Sequence, residues 1–294
     1  RDTGPNASAV QRHNVQILGQ GPRAMVLAHG FGCDQTVWQA VLTELSQHTC
    51  AVIFDHAGAG DADPALYDPA RHADLDGYAR DMVTLLADMG VGPVDFVGHS
   101  VSAMIGARAA ILRPDLFASL VMLTPSACYL NLPGYRGGFD AKDISELLEL
   151  LEANYAAWAE IFAPLATGNP DRPELAEDFV ETLCRTDPVI AANFARATFF
   201  ADCRADLPRV QVPTLVLECT EDPIAPPEAV RFVHETLPDS RHVLLQAQGH
   251  CPHLSHPDEV ARVLADVALR RIVPGAGATD RAPDAAPAAP PREI

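Results

Sequence analysis

Lysine is nearly missing from this chain of 294 residues: Lys142 is the only one, and it stands in AKDISE rather than behind a glycine-rich loop. A Walker-type nucleotide site is thereby excluded. A Schiff-base enzyme would have to use Lys142 itself, in a segment that reads as a charged helix start. Positive charge of any kind is scarce, with Lys+Arg 21 against Asp+Glu 39 and a net charge of -18. Phosphate backbones and anionic lipid surfaces repel such a chain, so neither nucleic acid nor membrane is expected as a partner. The seven cysteines (33, 50, 128, 184, 203, 219, 251) are scattered and never spaced C-x-x-C. That excludes a disulfide framework or a thiolate zinc site and reads as small buried side chains in a reducing cytoplasm. No apolar run approaches the roughly 20 residues that span a bilayer. The first twenty residues lack the apolar centre of a signal peptide. The chain opens on Arg1 without a Met, which fits a module cut from a longer protein.

Apolar content is ample, at 48% of residues, and its spacing has a rhythm. Short, continuously apolar runs recur: MVLA (25–28), AVIF (51–54), VDFVG (94–98), LVML (120–123), TLVLEC (214–219) and HVLLQ (242–246). Continuous rather than alternating runs are expected of parallel strands covered on both faces. Helical stretches lie between them, among them LDGYARDMVTLLADMG, which Gly90 stops. The expected fold class is α/β, an open and mostly parallel sheet with helices on both faces.

From about Arg136 to Arg204 the strands cease and apolar residues recur at helical spacing. The segment holds six of the eleven Phe (139, 162, 179, 194, 199, 200) and Trp158, one of two Trp. This reads as a helical lid with an apolar underside. The expected organisation is an α/β core over 1–135 and 205–272, a lid over 136–204, and a Pro/Ala-rich disordered tail or linker over 273–294.

The chemistry concentrates in VDFVGHSVSAMIGARAA, residues 94–110, where a strand runs through G98-H99-S100-V101-S102 into a helix. A serine at such a turn takes a strained backbone, needs small neighbours and points its hydroxyl away from the sheet. The usual pattern is G-x-S-x-G; here Ser102 fills the last place. A serine hydroxyl needs a base held by an acid, and in this architecture the order is Ser, then Asp or Glu, then His. Asp222 follows one late strand and His250 the next. Glu218 and Glu221 are rival acids, the first inside the strand. His253 and His256 are rival bases, expected as cap or surface histidines, and His99 reads as a packing or gating residue. The cluster H-C-P-H-L-S-H lacks the ligands to complete a metal site. An oxyanion hole needs two backbone N–H donors; Val101, after the serine, supplies one and Phe31, in the loop after the MVLA strand, the other.

With these residues in place the chain resembles the RsbQ-like branch of the α/β-hydrolase fold, which includes the bacterial stress-pathway regulator RsbQ and the plant karrikin and strigolactone receptors. The matching stretches are HGFGCDQTVW (29–38), TLLADMGVGPVDFVGHSVSAMIG (84–106), PSACYLN (125–131), YRGGFD (135–140), TDPVIA (186–191) and GHCPHLSHPDE (249–259). The resemblance implies Ser100 as nucleophile, Asp222 as acid and His250 as base, beneath a V-shaped lid of four helices. It also implies an apolar pocket at Phe31, Tyr129, Phe139, Leu147, Trp158, Phe162 and Phe199, with no cofactor and no metal. Family members cleave small esters or butenolides slowly, and some are receptors whose output is a protein contact.

The expected function is therefore a serine hydrolase of small, uncharged, apolar esters or lactones, a carbon–carbon bond hydrolase being open to the same three residues. The rival is a sensor in which binding or slow cleavage reshapes the lid for a signalling protein or a fused downstream domain. A catalytically dead scaffold is the third reading, disfavoured by the intact serine, acid and histidine.

Overall fold

Backbone groups in a strand buried on both faces can be satisfied only by neighbouring strands, and its side chains must be apolar throughout. The apolar runs accordingly become the centre of one sheet. The computed structural model describes residues 7–275 and 279–281. Its strands are β1 Gln16–Leu18, β2 Ala24–Ala28, β3 Cys50–Ile53, β4 Val94–His99, β5 Phe117–Leu123, β6 Thr214–Glu218, β7 Ser240–Leu244 and β8 Thr279–Arg281. They lie in the order β1-β3-β2-β4-β5-β6-β7-β8, with β1 antiparallel to β3 and every other pair parallel. Every residue of β2, β4 and β6 is buried.

The helices are α1 Ala9–Arg12, α2 Gln39–Leu45, α3 Leu75–Met89, α4 Val101–Leu112, α5 Ala141–Ala153, α6 Tyr155–Thr167, α7 Pro173–Cys184, α8 Pro188–Phe199, α9 Pro227–Thr236, α10 Pro252–Ser255 and α11 Pro257–Ala268. In the core, α2 packs on α11 and α3 on α4. Local chemistry sets the ends. Asp74 caps the start of α3 by accepting the Asp76 N–H, and Gly90 closes it in the left-handed conformation, φ 63°. Asp187 caps α8, with Pro188 at its first position. The insertion α5–α8 lies inside the segment read as helical, and Asn154 splits the longest helical stretch in two by capping α6.

Strand β2 has β3 on one side and β4 on the other, so the chain direction of the crossovers switches there. Loops leaving the carboxyl ends of β2 and β4 diverge and leave a crevice, the place where open α/β sheets hold their sites. Ala28 and Gly98 are paired across it, one residue before the His29 loop and two before Ser100.

Three features depart from the sequence expectation. β7 runs over Ser240–Leu244 rather than 242–246, because the polar Ser240 and Arg241 already pair with Thr214 and Leu215. The edge strand β1 has two exposed residues among its three and offered no apolar run to find. Thr279–Arg281, inside the stretch read as a disordered tail, pairs in parallel with His242–Leu244; the remainder of 276–294 lies outside the described residues.

The β4–α4 turn is a close backbone approach: a Cβ on Gly98 would stand 2.3 Å from the Ser102 carbonyl oxygen. Backbone cannot yield there as a side chain would, so Gly98→Ala is expected to destabilise the fold by about 1–3 kcal/mol. Urea unfolding measures this, and an unchanged midpoint would show slack in the turn.

Candidate active site

Ser100 sits at the junction of β4 and α4 with φ 55° and ψ −121°, a conformation that a non-glycine residue adopts only when its surroundings force it. Its N–H is bonded to Leu123 O at 2.9 Å, and its carbonyl accepts from Ala103 N–H at 2.9 Å. The hydroxyl is thereby pushed into the crevice. A second strained residue, Thr124 (φ 49°), ends β5 and donates its hydroxyl to the His250 carbonyl at 3.1 Å.

Asp222 and His250 come from the loops after β6 and β7. His250 Nδ1 lies 2.7 Å from Asp222 Oδ2, and His250 Nε2 lies 2.7 Å from Ser100 Oγ. With the imidazole proton on Nδ1 and donated to the carboxylate, Nε2 is the bare acceptor for the serine hydroxyl. The second carboxylate oxygen accepts from the backbone N–H of Ile224 and Ala225, at 2.8 and 2.9 Å, so the acid is fixed at both oxygens. Glu221 is exposed and contributes only its carbonyl, bonded by Gly249 N–H at 2.5 Å. Glu218 closes β6 and pairs with His242.

The base is also clamped through its backbone. Its carbonyl accepts from His99 Nε2 at 2.8 Å in addition to Thr124, and its N–H donates to Ala166 O at the end of α6, 2.8 Å away. Gly249 makes this meeting possible, since a Cβ there would lie 2.0 Å from the Thr167 carbonyl oxygen. Asn169 and Arg172, just beyond α6, reinforce it with bonds to the carbonyls of Gln248 and Ser255.

The cavity over Ser100 is about 20 Å³ and is lined by Phe31, His99, Tyr129, Phe162, Ala166, Phe179, Thr198, Phe199, Ile224, His250 and Cys251. Four rings of the insertion, Trp158, Phe162, Phe194 and Phe199, meet the Phe31 ring edge-on at centroid distances of 5.7–6.1 Å. Of the residues read as pocket, Phe31, Tyr129, Phe162 and Phe199 line the cavity. Trp158 does not: it is fully buried behind the lining, stacked on Phe162. Phe139 and Leu147 also fall outside the lining, each partly buried against the core. The pocket assignment missed Phe179, Ala166, Thr198, Ile224 and Cys251; Phe179 carried a signal as one of the phenylalanines of the helical insertion, and Cys251 as the neighbour of His250.

Tyr129 does more than line the wall. Its hydroxyl stands 3.0 Å from Ser100 Oγ, the one direct polar contact of that oxygen besides His250 among the described residues. Burial raises the phenol's pKa, so it stays protonated and donates. Burial likewise holds the Cys251 thiol protonated, leaving the serine as the nucleophilic candidate of the cavity. His253 corrects the expectation of a cap or surface residue: it is fully buried, tilted against Trp38 and His99, and its pKa falls to about 3 because burial penalises its charge. His256 is partly exposed, its Nδ1 bonded with Ser255 Oγ at 2.8 Å. Val101 opens α4, where the first N–H groups have no partner within the helix, and Phe31 sits in the adjoining β2 loop. Among the described residues no group of His, Cys, Asp and Glu could hold a metal ion, and no helix is long and apolar enough to cross a membrane.

Comparison with known proteins identifies the family. Residues 25–263 match the alpha/beta hydrolase family. The chain is 42% identical over 256 residues to a probable esterase of Oryza sativa subsp. japonica, covering 86% of this chain and 94% of that protein. It is 41% identical over 255 residues to the karrikin insensitive 2 receptor CA of Petunia hybrida, covering 86% and 94%. Among solved structures, a hydrolase from Oleispira antarctica superposes with a TM-score of 0.86 at 36% identity, covering 89% of this chain and 96% of that one.

Two predictions follow from the buried polar groups. Tyr129→Phe removes one donor to Ser100 Oγ without changing the cavity's shape; a net hydrogen bond of this kind is worth about 0.5–1.5 kcal/mol, so phosphonylation of Ser100 by a fluorophosphonate should slow about 3- to 10-fold. An unchanged rate would show the contact to be idle. The second concerns acid. Burial lowers the pKa of His29, His56, His99 and His253 below the ordinary value of 6.5. Below that value the unfolded chain binds protons that the folded chain refuses, so stability falls as pH drops, by at most about 1.4 kcal/mol per pH unit for each such histidine. Denaturation midpoints between pH 7 and 5 should fall steeply, and His253→Phe should flatten the slope.

Proposed function

We propose that this chain, which belongs to the α/β-hydrolase family and to its RsbQ-like branch, hydrolyses small, uncharged, apolar esters or lactones through an acyl-serine intermediate. The observation that carries the reading is the unbroken line from Asp222 through His250 to Ser100, two contacts of 2.7 Å, opening into an apolar cavity. In the proposed reaction Ser100 Oγ attacks the carbonyl carbon as His250 Nε2 takes the hydroxyl proton. Asp222 holds the imidazole in the Nδ1–H tautomer and stabilises its positive charge. The N–H groups of Val101 and Phe31 receive the oxyanion, aided by the positive end of α4. The carbon–oxygen bond to the alcohol then breaks, and His250 returns the proton to the leaving alkoxide. A water, deprotonated by the same His250, attacks the acyl carbon and releases the acid, restoring the serine.

The cavity limits the substrate. A small cavity walled by aromatic and aliphatic side chains favours a small, apolar substrate. Its lining offers no charged side chain to pair with an ionic substrate, apart from the buried Asp222–His250 couple behind the serine.

The second reading, a ligand sensor, has its own support. Helices α6, α7 and α8 of the insertion contribute Phe162, Ala166, Phe179, Thr198 and Phe199 to the cavity wall, and the α6 end is bonded to the backbone of His250. Ligand chemistry and lid position are thereby in direct contact. The Petunia relative is named a receptor and the rice relative an esterase, so both outputs accompany this architecture.

Intact mass after exposure to a fluorophosphonate or p-nitrophenyl acetate tests the first reading. One adduct is expected on wild type and none on Ser100→Ala or His250→Ala. Asp222→Asn should lower turnover by up to about 10⁴-fold through the wrong tautomer. Adduct-free wild type would sink the catalytic reading, whereas a fast burst with very slow release would favour the sensor.

A further inference from the structure

The residue two places after Ser100 departs from the glycine of the usual pattern, and its hydroxyl is fully engaged. Ser102 is completely buried, donates its Oγ–H to the His29 carbonyl at 2.5 Å and lies 2.8 Å from His56 Nε2. Since the hydroxyl proton is committed to His29, His56 must donate to it from Nε2. The His56 backbone N–H in turn donates to His29 Nε2 at 3.1 Å. That contact leaves the His29 proton on Nδ1, which donates to the Gly30 carbonyl at 3.0 Å. Cys33 N–H reaches the same carbonyl at 3.3 Å.

The Gly30 carbonyl and the Phe31 N–H belong to one planar trans peptide and point in opposite directions. Whatever holds the carbonyl therefore aims the amide. The ring of Phe31 cannot do this, because it is packed by the insertion and turns about its own side-chain bonds. The loop's backbone direction depends instead on His29, held at its carbonyl by Ser102 and at its ring by His56.

We propose that Ser102 and His56 are positioning residues that aim the Phe31 N–H, acting through His29. The proposal rests on the hydrolase reading above, in which that amide meets the oxyanion. Neither side chain touches substrate: Ser102 points to the loop and His56 is enclosed by Phe54, Tyr78 and Phe194. A glycine at 102 would leave a buried carbonyl and a buried imidazole N–H without these partners, which is the physical reason for a serine there.

The test uses the full chain with p-nitrophenyl acetate and, separately, an aryl trifluoromethyl ketone, whose adduct on Ser100 places an oxyanion where the ester's would form. Removing an oxyanion donor outright typically costs about 10²–10³-fold in kcat, so misaiming one should cost less, about 10-fold in Ser102→Ala. KM should stay within about two-fold, and ketone affinity should fall by the same factor as kcat, a coupling that a merely structural defect would not produce. His56→Phe keeps a ring of similar size and is expected to lose about 3-fold in both quantities, with the double variant no worse than the product of the two. If Ser102→Ala fails to fold, His56→Phe carries the test alone. Full activity in both variants, or a loss of kcat with ketone affinity intact, overturns the proposal while leaving the hydrolase reading in place. A wild type that neither turns over the ester nor binds the ketone overturns both.

Discussion

Everything at this site depends on one bend, where β4 stops and α4 begins. A residue at φ 55° that is not glycine carries a cost of about 1–3 kcal/mol, so it persists only where neighbours over-determine it. Here they do. Gly98 lets the helix backbone approach closely, the Ser100 N–H is bonded to the end of β5, and the first helical turn begins at once. The hydroxyl consequently has a fixed address at the crevice between diverging loops. Other elements can be judged by whether they reach that address. β2 brings the Phe31 loop, β5 the Thr124 hydroxyl, β6 the acid and β7 the base.

The surroundings then decide how these groups behave. Polar atoms in apolar surroundings must find partners, and most of those near Ser100 have backbone ones. Asp222 is held by two backbone N–H groups, the His250 N–H by the Ala166 carbonyl, and Ser102 by the His29 carbonyl. Backbone partners do not change rotamer, so the side chains they hold lose little precision to thermal motion. The aromatic side of the cavity is different: the Phe31 ring meets four other rings, through contacts that can slide without breaking a hydrogen bond.

How much of this the amino-acid order revealed follows the range of the forces involved. The strands of the sheet centre could be read because burial on both faces leaves continuous apolar runs, and Ser100, Asp222 and His250 could be named because each follows such a run in a fixed order. The edge strands β1 and β8 left no such mark, since an edge needs only backbone pairing. Tyr129, in the loop after β5, gave no sign of reaching the serine, because nothing local encodes a contact across 29 residues. His253 misled for a related reason. A histidine in the first turn after a proline looks like a cap, and only the packing of α10 against α2 and α6 puts it in the interior. Trp158, Phe139 and Leu147 were assigned by likeness; a single rank of side chains separates lining from support, and sequence does not resolve one rank.

The bond between His250 N–H and Ala166 O ties the insertion to the catalytic base. Together with Asn169 and Arg172 it nails the corner between α6 and α7 to the loop after β7. Raising that corner would strip a buried amide of its partner at the very residue whose orientation matters most. The corner that roofs the serine is thus hydrogen-bonded to the backbone of its own base, so the cavity wall and the imidazole share one support.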